Sequence, residues 1–145
     1  MRSHPDPSMP FLRILLTALF LLLAGLAAQA QESPLTDAQI AALLAQSLPA
    51  GVGLAQADDA QLAQAIAQAL AARPDGAAAI VAYLCRSLPD KILLIVDRAV
   101  NALPSARDAI VAAAKGAAPP ALHGAIEKSA DEAYRKAVES QGGTD

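Results

Sequence analysis

The sequence predicts an all-α protein of short antiparallel helices with a period of about 15 residues, forming a small solenoid or helical bundle. Three observations predict it. Prolines stand at 74, 89, 104 and 119, three equal intervals of 15 residues. Seven positions after each come Val81, Val96, Val111 and Ile126, and six positions after each come Ile80, Ile95, Ile110 and Ala125. Within a unit the apolar offsets are roughly 3, 6, 7, 10 and 14, which is helical spacing and not strand alternation.

Residues 1–30 read as a secretory leader. Arg2 and Arg13 precede an uncharged apolar run from Ile14, and Ala28-Gln29-Ala30 forms a small-x-small cleavage site. The competing reading is an uncleaved anchor, for which a run of 17 residues is short against the roughly 20 a bilayer requires. Met9 begins a more regular leader than Met1 does.

Residues 31–58 are expected to hold a capping helix and a Gly/Pro loop. In "SPLTDAQIAALLAQSLPAG", Thr36 or Asp37 can cap a helix whose Ile40, Leu43 and Leu44 share one side. Residues 48–59, with Pro49, Gly51 and Gly53, break the period and read as loop.

Residues 59–140 carry the tandem repeats. One period back from Pro74 is Asp59, and Leu62, Ile66 and Leu70 fall at unit positions beyond it. Proline suits the first helical turn, where its missing N–H would have no partner. The acidic or hydroxyl residues that follow, Asp75, Asp90 and Ser105, suit the positive end of a helix. One continuous kinked helix is excluded, since each interior proline costs about 3 kcal/mol. Leu88-Pro89 and Leu103-Pro104 therefore mark turns, with each leucine closing the apolar face of the helix before it. Gly116 is placed to end its helix. Asp131–Arg135 and Glu132–Lys136 are i,i+4 pairs on a charged last helix, as an outer cap needs, and 141–145 is expected to be a disordered tail.

Composition narrows the function classes. Beyond residue 30, nine Lys or Arg stand against thirteen Asp or Glu, a net charge of −4. That is no electrostatic footprint for nucleic acid, nor for an anionic membrane surface once the leader is cleaved. Alanine fills 32 of these 115 positions, and Tyr83 and Tyr134 are the only aromatics, so the core should be thin.

Few residues carry chemistry. His123 is the only histidine after the leader, and without neighbouring Cys or paired acids it makes no metal site; it reads as a solvated first-turn residue. Asp58-Asp59 reads as helix capping, and "GVG" at 51–53 lacks the Lys-Ser/Thr of a phosphate loop. Cys85 and His123 form the sole nucleophile–base combination, with no evident oxyanion donor. Catalytic, cofactor-binding and metal-ligating residues are therefore expected to be absent. Cys85 is either a buried apolar thiol or the site of an intermolecular disulfide. Arg98 and Arg107 interrupt apolar units, either as solvated residues or as part of a partner-binding face.

"PDGAAAIVAYL" and "PSARDAIVAAA" resemble short alanine-rich helical repeats of small exported proteins of Gram-negative bacteria with no assigned function. The resemblance covers about residues 59–133 and implies helical repeats and export, not a role. "PDKILLIVDRAV" departs from it in being rich in Leu and Ile, which marks that unit as the centre of the core. The expectation is a periplasmic or secreted, non-enzymatic repeat protein that binds an unknown protein partner. The alternative is a self-assembling structural protein of the cell envelope, with the chain itself as partner.

Overall fold

The computed structural model describes residues 34–143; the leader read over 1–30 lies outside them. The described residues form six α-helices and no strand: α1 Asp37–Ser47, α2 Asp59–Ala72, α3 Ala77–Ser87, α4 Ile92–Ala102, α5 Arg107–Ala117 and α6 His123–Gly142. None of them is long and apolar enough to cross a membrane.

The period has a simple physical origin. A three-residue 3₁₀ turn begins on proline at Pro74, Pro89 and Pro104, an eleven-residue α-helix follows, and one capping residue completes the unit. Arg73, Leu88 and Leu103 occupy the capping position, with φ near −132 to −140° and ψ near 67 to 74°. The proline that follows disfavours helical geometry at that residue, so each helix stops there. Each turn is closed by a hydrogen bond, Gly76 N–H to the Arg73 carbonyl (3.0 Å) and its equivalents. Leu88 and Leu103 are half-buried and pack against the core.

The fourth turn departs from the sequence reading. It starts on Pro120, not Pro119, and α6 begins at His123, one residue later than the period requires. Pro119 is extended (ψ 148°), because a residue ahead of proline is driven out of the α region. Ile126 therefore stands in register with Ile80, Ile95 and Ile110, and not with Val81, Val96 and Val111. All four isoleucines are fully buried.

From α2 onward, helices two apart pack most extensively, giving one row of α2, α4 and α6 and another of α3 and α5, while α1 rests mainly on α2 and more lightly on α3. Within the first row, polar contacts join residues in the first halves of the helices. Lys91 Nζ at the start of α4 reaches Asp59 at the start of α2 (2.8 Å), and Ser129 Oγ on α6 donates to the Leu93 carbonyl near the start of α4 (3.3 Å). Between the rows, α5 and α6 run antiparallel: Lys115 near the end of α5 meets His123, while Arg107 at its start meets Asp131.

The capping segment breaks this regularity. Asp37 at the start of α1 pairs with Arg86 at the end of α3 (3.1 Å), while Leu35 just ahead of α1 lies over Gly76 at the start of α3. Thr36 and Asp58 cap α1 and α2 through reciprocal bonds with Gln39 and Gln61. Gly51 in the intervening loop has φ +82°, which glycine adopts without strain. Gly76 is buried for another reason: a side chain there would run into Leu35. Two chain-end expectations are corrected. Gly116 lies inside α5, which ends at Ala117, and α6 continues to Gly142 instead of giving way to a tail at 141.

Candidate functional site

A seam of one residue per turn runs between neighbouring helices. In α2 it is Leu62, Ile66 and Leu70, in α3 Ala77, Val81 and Cys85, and in α4 Ile92, Val96 and Val100; all nine are buried. The same positions in α5 hold Arg107, Val111 and Lys115, and in α6 His123, Glu127 and Asp131. Here the apolar seam becomes a polar one. Arg107 pairs with both Asp131 and Asp108, and Lys115 Nζ pairs with Glu127 (2.5 Å). The hydrogen bond that the Arg107 guanidinium donates to Asp131, reinforced by one to Asp108, holds that guanidinium more firmly protonated than usual. The hydrogen bond from Lys115 holds the Glu127 carboxyl below the ordinary carboxylate range.

His123 is half-buried, not solvated as the sequence suggested. Its Nε2 donates to the Lys115 carbonyl (2.9 Å) and lies 3.3 Å from the Ala118 carbonyl. It thereby satisfies backbone acceptors that the end of α5 leaves open. Asp131 likewise turns to Arg107 across the seam instead of to Arg135 along its own helix.

Beyond Arg107, α6 outruns its neighbour. Its stripe Glu127, Asp131, Tyr134, Val138 and Gln141 continues past the start of α5, and the last three residues have no α5 beside them. The result is an open groove of about 690 Å³ between the Pro104 turn and the second half of α6. Among the described residues the large apolar side chains left exposed are Leu93, Tyr134 and Val138, and two of the three line this groove. A smaller apolar hollow of about 150 Å³ lies between α1, the Val52–Leu54 stretch and Tyr83.

The other candidates are scattered. Arg98 is an exposed residue of α4, 3.8 Å from Asp97 and without contact to Arg107. Arg107 borders the groove but is engaged by two carboxylates. Cys85 is fully buried, and burial pushes its thiol up to about 11 despite the opposing charge of Arg86. In this fold the sulfur is therefore out of solvent, and the thiolate that disulfide exchange uses is disfavoured. Cys85 and His123 do not meet, and no group of three or more metal-ligating side chains occurs among the described residues. The sequence reading missed Tyr134 and Val138. Their i,i+4 spacing was visible, but only the length of α6 relative to α5 shows that they stay exposed.

No protein-family model matches the chain, and no curated protein and no solved structure matches it either.

Proposed function

We propose that this chain is a non-catalytic protein-interaction module whose binding face is the groove along the second half of α6. The observation that carries this reading is the pairing of Tyr134 and Val138 in one groove, since exposed apolar side chains gathered in a concavity mark interaction sites. A rigid helical array supports them from behind through the buried Ala130, Ala133 and Ala137. Tyrosine is also a frequent anchor at interfaces, presenting a large area at low entropic cost. A leader of the kind read in residues 1–30 would deliver the module to the periplasm or beyond.

The test is a photo-crosslinking amino acid at position 138, with a second protein carrying it at position 93, each expressed in its own cells and analysed by mass spectrometry. A recurrent foreign protein joined at 138 and not at 93 supports the reading. Adducts of the chain with itself alone would replace it with self-assembly. Equal or absent adducts at the two positions would sink both.

A further inference from the structure

The identity of the groove's occupant can be narrowed by charge. We infer that the groove takes a cationic peptide segment, one apolar side chain seated on Tyr134 and Val138 with Lys or Arg beside it; this rests on the interaction-module reading above. The floor is apolar and the rim is acidic. Asp108 and Asp131 leave 93% and 63% of their side chains exposed, whereas Arg107, at 31%, is drawn in between them. Both carboxylates neutralise that one guanidinium, so the charge turned toward an approaching ligand is negative. The opposing influence is the N-terminal end of α5, about half a positive charge, which Asp108 in that helix's own first turn already offsets. The polar residues that complete the lining, Ser105 and Gln141, are uncharged.

Size agrees with a peptide. A volume of about 690 Å³ lies within the range of about 300–1,000 Å³ found for sites that enclose a small ligand. Tyr134 and Val138 stand one helical turn apart, which suits one branched or aromatic side chain laid across both. An acidic or phosphorylated segment would bring like charge against Asp108 and Asp131 with no free cation in the groove to receive it. The whole chain beyond the leader is acidic as well, which speeds the approach of a cationic partner.

The test is a nuclear magnetic resonance titration of the chain without its leader against three short synthetic peptides. They share one central leucine and differ only in the flanking residues, lysine, serine or glutamate. The lysine peptide should move the resonances of Tyr134, Val138 and Asp108 and bind at least about tenfold more tightly than the glutamate peptide. Val138→Ser should weaken it about tenfold, Leu93→Ser should leave it unchanged, and added salt should erode it. Asp108→Asn should shrink the preference for lysine over glutamate while the protein keeps its helical circular dichroism. Equal or tighter binding of the glutamate peptide, shifts centred elsewhere, or no binding of any peptide would overturn the inference. The in-cell crosslinks separate the two claims: a foreign adduct at 138 alongside a failed lysine peptide removes the cationic partner and leaves the groove.

Discussion

The helices α2–α4 and the pair α5–α6 fill one set of positions with opposite chemistry. In α3 and α4 the five inward positions, Ala77, Ile80, Val81, Leu84 and Cys85 and then Ile92, Ile95, Val96, Ala99 and Val100, are all buried. In α5 only Ile110 and Ala114 stay buried, and the seam positions on either side become Arg107, Lys115, His123, Glu127 and Asp131. The two positions beside the seam stay buried and apolar in every one of these helices, Ala65 and Ala69, Ile80 and Leu84, Ile95 and Ala99, Ile110 and Ala114, and Ile126 and Ala130, so the fold tolerates charge along the seam but not on the face beside it. What the difference teaches is where the array turns wettable. Among the described helices the change falls between α5 and α6, and a wettable flank is what an outer repeat needs. The last helix is held by Ile126, Ala130 and Ala133 in the core and only lightly along the seam.

The largest expected effect comes from putting charge into the apolar region. Ile95→Asp, or Val100→Lys at the position Lys115 occupies one unit later, should cost on the order of 4 kcal/mol by burying an unpaired charge. With a core this rich in alanine, that should abolish cooperative thermal unfolding by circular dichroism. An unchanged melt for Val100→Lys would mean that the two seams are equivalent after all.

A smaller effect is expected at Cys85. Cys85→Ser buries a hydroxyl among apolar neighbours and should destabilise by roughly 1–3 kcal/mol. The native thiol should resist a maleimide reagent until denaturant is added, and a non-reducing gel should show a monomer. Rapid labelling of the folded protein would show that the apolar seam opens easily.

Smaller still is the cost of cutting the polar seam. Arg107→Ala should lower stability by no more than about 1 kcal/mol, as for partly exposed ion pairs, and the loss should shrink in high salt. A larger, salt-independent loss would show that Arg107 is structural in the way Ile95 is.

Acid should produce the smallest change. Lys115 depresses the pKa of Glu127 and Arg73 depresses that of Asp75, so each carboxylate's stabilisation is present above its unfolded value, about 4.3 for Glu and 3.9 for Asp. It is lost as the pH falls through the lower, folded value. Titrating the melting temperature downward from about pH 5 should show a shallow decline, and Lys115→Ala should remove part of it.

Much of the repeat was legible because proline is a local signal. Pro74, Pro89 and Pro104 dictate their turns without help from distant residues, and the buried isoleucines follow at fixed distance. The shift at Pro119-Pro120 was misread because two adjacent prolines offer two starts, and only the effect of the second on the first decides between them. Caps at Thr36 or Asp37 and at Asp58-Asp59 were readable, since capping is settled within three residues, and the structure gives the role to Thr36 and Asp58. The groove was not readable. Tyr134 and Val138 look like ordinary exposed positions until α5 is seen to begin beside Asp131, a relation between helices that no local pattern encodes. Cys85 was ambiguous for the same reason: its burial depends on the register of α3 against its neighbours.

The arrangement in which every extensively packed pair of helices lies one or two elements apart has a kinetic consequence. No large loop must close before the first favourable contacts form, so the ordering penalty is met in small instalments, and such chains fold on the microsecond-to-millisecond scale. Growth of the structure can proceed from any adjacent pair of helices outward. A chain emerging from a ribosome or a translocation pore would not have to wait for its last residues before its first helices hold together.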